Sequence, residues 1–430
     1  MAGVYIHVPF CVQKCNYCDF LSLPLAGDSR AAFCDLYVNA LLKEMQNAKI
    51  AAPISTIYIG GGTPTALPPH LLCKILDAVT THFVGGVPPR APGNDVAPRD
   101  AQDAGERYMG HVPYAFPDTA GNNGIIHTAR RPQAAPTNAP ECPRRGDRPR
   151  SPARHIEITV EANPGTLSRD YLSALKTHGV NRLSMGLQTT KPHLLKALGR
   201  LHTMQQFLEN YHTARSLGFT NINIDLMFAL PGQTMQDWRD TLHEIIALSP
   251  QHISAYSLTP AENTPLWHAL ERGEISLPGD ETDREMYHLA REMLIAAGYT
   301  HYELSNFAKP GFESRHNIDC WRRVPYVAFG LGAHSFDGKT RRRNTENMDE
   351  YLAGHPPAVT EHLSEAGHLS ETMILGLRLM EGIPEKDIPQ IFAPQVAELT
   401  AKGLLTRQNG NICLTPRGMD LANQVFEAFL

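Results

Sequence analysis

The stretch Tyr5-Ile6-His7-Val8-Pro9-Phe10-Cys11-Val12-Gln13-Lys14-Cys15-Asn16-Tyr17-Cys18-Asp19-Phe20 runs from a β-rich segment straight into a loop spaced Cys-x3-Cys-x2-Cys. Three thiolates in so short a loop can each face one corner of a cubane iron–sulfur cluster. The fourth iron then keeps an open position, which a site needs if it is to bind a ligand and not merely hold structure. The spacing therefore predicts Cys11, Cys15 and Cys18 as ligands of a [4Fe–4S] cluster. Two alternatives stay open on the residues alone: a zinc site completed by His7, and a cluster closed by a remote fourth ligand. Cys34, Cys73, Cys142, Cys320 and Cys413 are scattered, and Cys34, Cys73 and Cys413 read as reduced thiols packed as small apolar groups.

Outward from this loop, short β-rich runs alternate with helical patterns. Strands are predicted at 4–7, 55–59, 155–161, 181–188, 221–227 and 252–258. Helices are predicted at 68–83, 167–178, 204–217 and 234–248. A βαβα rhythm argues for a parallel sheet with right-handed crossovers. Six such units fall short of the eight of a closed barrel, so the expected fold is α/β, a partial (β/α)6 barrel. Chemistry in such folds gathers at the carboxyl ends of the strands.

Two regions leave this rhythm. Residues 85–154 hold 20 Pro or Gly among 70 positions, a composition that buries too little apolar surface to offset ordering entropy. They read as a disordered insertion, with a docking segment as the functional alternative. From about 360 to 430, two or three helices and a hairpin turning at Asn409-Gly410 predict a winged-helix-like α+β cap. The first domain accordingly comprises 1–84 and 155–345.

Charge and composition narrow the function. The chain has 430 residues, 42% hydrophobic and 19% charged, with a net charge of -5, which gives no reason to expect a nucleic-acid surface. No run of 18 apolar residues is present, so no transmembrane segment is expected. The first residues lack a basic and apolar leader, which predicts a cytoplasmic location, with peripheral membrane association left open.

Further motifs stand at the predicted strand ends. Gly60-Gly61-Gly62-Thr63-Pro64-Thr65 closes the second strand, where glycines allow close backbone approach to a ligand. Glu161, in Glu-Ala-Asn-Pro, and Gln188, in Ser-Met-Gly-Leu-Gln, end the third and fourth strands, and Asp225 lies within the fifth. Each is a polar residue among apolar neighbours and needs a partner if buried. Three on successive strands argue for one shared ligand. Arg200, in Leu-Gly-Arg-Leu-His, is a candidate carboxylate or phosphate clamp.

These residues resemble the radical S-adenosylmethionine superfamily, whose pattern includes an aromatic residue at the position of Tyr17. With Leu230-Pro231-Gly232-Gln233 and Gly330-Leu331-Gly332-Ala333-His334-Ser335, the chain is similar to one branch, the oxygen-independent coproporphyrinogen III oxidase group with its HemW-type haem chaperones. The resemblance covers 3–84 and 155–430. It implies that Tyr5, Gly61, Gly62, Thr63 and Glu161 contact S-adenosylmethionine. It also implies that Gln188, Arg200 and Asp225 match residues which, in the oxidase, contact a second S-adenosylmethionine. The oxidase carries a fourth cysteine two places after the third, where this chain has Phe20. The chaperone branch instead carries a haem-associated His-Asn-x-x-Tyr-Trp segment, which here reads His316-Asn317-Ile318-Asp319-Cys320-Trp321. The resemblance thus implies haem as a further cofactor, with His316 and Cys320 as candidate ligands. Its implied partners are haem acceptor proteins of the respiratory chain, and a flavodoxin- or ferredoxin-type electron donor if S-adenosylmethionine is cleaved. Oxidative decarboxylation of coproporphyrinogen III is the enzymatic alternative.

Overall fold

Each predicted strand alternates apolar and polar side chains, and the computed structural model shows what the alternation serves. It describes residues 1–25, 30–48, 50, 52–84 and 156–430, so the insertion expected at 85–154 lies outside the described residues. Strands β1 (Ala2–Val8), β2 (Ile54–Gly61), β3 (Glu157–Ala162), β4 (Arg182–Gln188), β5 (Ile222–Phe228) and β6 (His252–Ser257) pair in chain order. All of these pairings are parallel. One set of alternate residues, including Val4, Ile6, Ile57, Ile59, Val160, Leu183, Met185, Ile224, Leu226 and Ile253, forms a buried apolar layer. The other set is also buried but polar: Tyr58, Thr159, Glu161, Arg182, Ser184, Asn223, Asp225, His252 and Ser254. A strand with period two presents these sets to opposite faces, so the sheet has an apolar outer face and a polar inner one.

Helices cover the outer face. Between β2 and the insertion, α2 (Pro69–Phe83) starts with proline in its first turn and buries Leu71, Leu72, Ile75, Leu76 and Val79 as one stripe. α3 (Arg169–Thr177) is capped by Ser168, and α4 (Met204–Ser216) and α5 (Met235–Leu248) each begin with a capping box, Thr203/Gln206 and Thr234/Asp237. α1 (Arg30–Asn47) crosses from β1 to β2 and was not among the predicted helices. Its buried residues Cys34, Tyr37, Val38, Leu41 and Met45 follow helical spacing, and that spacing was the available signal.

The partial barrel extends beyond the six expected strands. β7 (Thr300–Glu303) and β8 (Asn306–Ala308) form an antiparallel pair on the far edge of β6. On the opposite side β9 (Tyr326–Phe329) runs parallel to β1. β10 (His334–Phe336), β11 (Thr340–Arg343) and β12 (Ala358–His362) continue antiparallel from it, completing a sheet of 12 strands. Short helix α6 (Arg315–Trp321) lies between β8 and β9 and packs across the amino ends of the strands.

The C-terminal segment has the expected α+β composition. α7 (Glu365–Gly376) and α8 (Ala393–Ala401) accompany a sheet of β13 (Ile383–Pro384), β14 (Leu405–Gln408) and β15 (Asn411–Leu414). The β14–β15 hairpin turns through Asn409 and Gly410, with φ of 53° and 77°. Two successive positive φ values are the tight-hairpin geometry that an Asn-Gly pair favours. Among the described residues no helix is long and apolar enough to cross a membrane.

Candidate functional site

At the carboxyl end of β1 the chain enters the cysteine loop, which backbone hydrogen bonds hold on several sides. The loop is pinned by Thr63 N–H to Phe10 O (2.6 Å), Leu25 N–H to Cys11 O (2.6 Å), Asn16 N–H to Leu198 O (3.1 Å) and Leu266 N–H to Asn16 O (2.8 Å). Cys11, Cys15 and Cys18 are all buried and none is in a disulfide. The Thr63 hydroxyl lies 3.6 Å from Cys11 Sγ, and Arg200 Nη1 donates to Cys15 Sγ at 3.8 Å. Burial pushes the Cys11 thiol up to about 11, and burial with the neighbouring thiols pushes Cys18 up further. The donor set suits an iron–sulfur cluster: three clustered soft thiols, a guanidinium to offset their charge, and an apolar collar including Leu194, Leu198, Met227 and Phe20. His7 does not join them. Its Nδ1 meets Tyr5 Oη at 3.1 Å and its Nε2 meets Leu21 O at 2.9 Å. A single zinc ion needs its donors around one point.

The glycine segment earns its composition inside the protein. A Cβ on Gly60 would lie 2.8 Å from the Glu161 carboxyl carbon, one on Gly61 2.5 Å from the His7 ring, and one on Gly62 2.7 Å from Phe10 O. Gly61 also has φ 108°, a conformation that L side chains rarely adopt. The glycines thus let β2 press against the cysteine loop and Glu161, and the anticipated close backbone approach is first of all to the chain itself.

Below the loop, Gly62, Thr63, Glu161, Asn163, Ser184 and Asp225 line one small cavity. Glu161 accepts from Tyr58 Oη (2.7 Å) and from Gly61 N–H (3.2 Å). Burial raises its carboxyl to about 8, opposed by the Tyr58 hydrogen bond and reinforced by the charge of Asp225. Asp225 accepts from Asn223 Nδ2 (2.7 Å) and Ser184 Oγ (3.2 Å), and burial raises it to about 6. Tyr5 is half-buried alongside, with its ring 6.2 Å from that of Tyr58. Sequence reading missed Tyr58, Asn163, Ser184 and Asn223; their signal was the period-two polar pattern of β2 to β5.

Gln188 and Arg200 stand one step toward β6. Gln188 has φ 70°, a left-handed backbone that is uncommon for a residue with a side chain and tends to be kept at functional positions. Tyr256 Oη donates to its Oε1 at 2.9 Å, and its buried Nε2 has no hydrogen-bond partner. Arg200 Nη2 donates to Gly186 O at 2.6 Å while its Nη1 donates to Cys15 Sγ, which ties this group to the cysteine loop.

The two candidate haem ligands lie elsewhere, at the amino ends of the strands. The backbone N–H groups of Arg315 and His316 donate to the two Glu157 carboxylate oxygens at 3.2 and 3.1 Å. His316 is buried, with Nδ1 3.0 Å from Thr56 Oγ1 and its ring stacked 5.1 Å from that of Tyr58. Burial and the charge of Arg182 lower it to about 4, so it is neutral. Cys320 is half-buried on the same helix, and its thiol is pushed up to about 12 by burial. The structure thus gathers Gly62, Thr63, Glu161 and Asp225 around one cavity, with Gly61 bonded to Glu161 and Tyr5 stacked near Tyr58 beside it, sets Arg200 against Cys15 and Gln188 against Tyr256, and keeps His316 and Cys320 at the opposite end.

Comparison with known proteins bears on the family and the fold. The Radical SAM superfamily model matches residues 123–245, and the HemN C-terminal domain model matches 363–421. "Heme chaperone HemW" of Bacillus subtilis is 32% identical, the alignment covering 100% of this chain and 99% of that protein. The chain belongs to the HemW family. The HemW protein of Escherichia coli is 30% identical over 100% of this chain and 98% of its own length. Among solved structures, the coproporphyrinogen III oxidase HemN of Escherichia coli, a radical SAM enzyme, superposes with a TM-score of 0.71 at 20% identity, covering 100% of this chain and 89% of that one. At that identity the match speaks for the fold: the HemW-family chain carries the radical SAM partial barrel with a HemN-type C-terminal domain.

Proposed function

We propose that the protein is a haem chaperone, which binds haem and passes it to acceptor haemoproteins, built on a radical SAM scaffold. The full-length likeness to curated haem chaperones carries this reading. Phe20 supports it, because it packs in the apolar collar of the cysteine loop at the place where the oxidase pattern has a fourth cysteine.

Cys11, Cys15 and Cys18 would hold the [4Fe–4S] cluster, with S-adenosylmethionine at its open iron. The cluster when bound supplies an electron to the sulfonium. Tyr5, Gly61, Gly62, Thr63 and Glu161 would contact that ligand, and Gln188, Arg200 and Asp225 match residues that in the oxidase contact a second S-adenosylmethionine. Asn163 Oδ1 and Gln188 Nε2, both buried without a partner, are the polar atoms left to engage it. His316 and Cys320 are the candidate haem ligands. Since His316 is buried against Thr56 and Tyr58, its engagement requires α6 to move away from the strand ends. The acceptors fit haemoproteins of the respiratory chain, and a flavodoxin or ferredoxin would serve as donor if S-adenosylmethionine is cleaved.

The test is anaerobic reconstitution, a spectral titration with haem, and then mixing with an apo-haemoprotein. The chaperone reading expects stoichiometric haem uptake and transfer to the acceptor. Protoporphyrinogen formed catalytically from coproporphyrinogen III with S-adenosylmethionine and reductant would overturn it in favour of the oxidase.

A further inference from the structure

We propose that Arg200 tunes the iron–sulfur cluster: its buried guanidinium hydrogen-bonds the Cys15 sulfur and raises the potential at which the cluster takes up an electron. The inference rests on the cluster reading above. It gives Arg200 a role other than the second S-adenosylmethionine contact that the resemblance implies.

The run Leu198-Gly199-Arg200 ends a helix in a way that fixes where Arg200 goes. The short helix Pro192–Ala197 closes with Gly199 N–H on Lys196 O (3.0 Å) and Arg200 N–H on Leu195 O (2.8 Å). These two bonds around a left-handed residue, Gly199 at φ 72°, make a Schellman ending. The last carbonyls of a helix need donors from outside it, and the cysteine loop supplies them. Asn16 N–H donates to Leu198 O (3.1 Å) and Asn16 Nδ2 to Ala197 O (3.0 Å). A Cβ on Gly199 would lie 3.0 Å from Asn16 Cγ, so loop and helix end are pressed together. Arg200, the next residue, is buried between them. Its Nη1 donates to Cys15 Sγ at 3.8 Å and its Nη2 to Gly186 O at 2.6 Å. A planar guanidinium can hold both acceptors in one fixed geometry.

The consequence is electrostatic. Reduction adds one electron to the cluster, and no bond to the thiolates forms or breaks. The reduced cluster therefore carries one more negative charge than the oxidised one. A fixed positive charge shielded from water favours the more negative state, and hydrogen bonds to the ligand sulfur act in the same direction. The same charge explains the tolerance of a buried guanidinium, which is costly unless an anionic partner offsets it. Lys14 also carries a positive charge in the loop, donating from Nζ to Phe20 O at 3.0 Å, but its side chain is exposed. Water and salt screen an exposed charge far more than a buried one. Arg200 is therefore the residue that sets the potential.

The experiment is a reductive titration with dithionite, followed by electron paramagnetic resonance, on the anaerobically reconstituted full-length protein without S-adenosylmethionine. Wild type, Arg200→Met, Arg200→Lys and Lys14→Met are compared. Iron and sulfide contents verify assembly, and the Lys variant keeps the test alive should Arg200→Met fail to assemble. At a fixed applied potential Arg200→Met is expected to lower the ratio of reduced to oxidised cluster about 10-fold, a midpoint about 59 mV more negative for a one-electron couple. Arg200→Lys should fall between it and wild type, and Lys14→Met should shift the midpoint less than either. An unchanged midpoint in the Arg200 variants, or a Lys14→Met shift as large as theirs, would overturn the assignment. Equilibrium dialysis with S-adenosylmethionine identifies the competing role: a bound equivalent lost from Arg200→Met, with the midpoint unchanged, assigns the guanidinium to a second ligand instead. Failure of wild type to take up iron and sulfide would sink the cluster reading, and this inference with it.

Discussion

The two ends of the barrel are closed by opposite means. At the cysteine end, backbone bonds such as Gly62 N–H to Val8 O and Thr63 N–H to Phe10 O hold the loop. Side-chain atoms there are left over: Tyr17 Oη, Asn163 Oδ1, Gln188 Nε2 and Gln233 Nε2 are buried without partners. At the α6 end, side chains do the closing and find partners. Glu157 receives two helix N–H groups, Ser55 Oγ donates to Asp319, and Ser314 N–H donates to Tyr302 Oη. Native proteins leave few buried polar atoms unmatched, so the first end has the character of a site and the second that of a plug. Arg182 Nε and Thr159 Oγ1, buried side by side on the inner face without partners, are exceptions near the plug.

The largest expected effect tests the first end. Replacing Cys11, Cys15 or Cys18 individually by serine should abolish stable cluster assembly, read as iron and sulfide content after reconstitution. Replacing Cys34, which is buried on α1 away from the loop, should leave both contents unchanged. Equal losses from both kinds of substitution would erase the distinction.

Next is the pH dependence written into Glu161. Its carboxyl is raised from the ordinary glutamate value to about 8 by burial. Between those two values the folded state binds more protons than the unfolded state. The contribution is therefore full below the ordinary value and is lost as pH rises through about 8. Glu161→Gln keeps the shape and has no charge to bury. Its stability relative to wild type should thus rise between pH 5 and pH 9 by ~2–4 kcal/mol, measured by denaturant unfolding of the cluster-free protein. A flat difference across that range would mean that Glu161 is ionised in the fold without penalty.

How much of this could be read in advance follows the same division. Cys11, Cys15 and Cys18 are local in sequence, so spacing alone singled them out as candidates. The strand order came from the βαβα rhythm because parallel pairing repeats one rule. Arg182, Tyr58 and Asn223 acquire meaning only when the strands curve and bring their inner faces together. His316 shows the converse. Its segment pointed to haem, but its burial on Tyr58 depends on α6 folding back over β2 and β3, which no local pattern announces.

Breaking the plug should cost less. Glu157→Ala removes the acceptor for the N–H groups of Arg315 and His316, and should destabilise the protein by ~1–3 kcal/mol. Iron content should stay at the wild-type level, because Glu157 stands at the far end of β3 from Asn163. A loss of cluster in this variant would show that the two ends are not independent.

The smallest effect is the most discriminating. Thr56→Val keeps the volume of the side chain and deletes the 3.0 Å hydrogen bond to His316 Nδ1. The expected destabilisation is ~1 kcal/mol, near the average for one buried hydrogen bond. If haem reaches His316 only after α6 has left the strand ends, loosening that contact makes the competent state less costly to populate. Apparent haem affinity should then rise by up to about 5-fold, the same free energy seen from the other side of the equilibrium. If affinity falls instead, the Thr56-bound form of His316 is the one that receives haem, and the plug is part of the site.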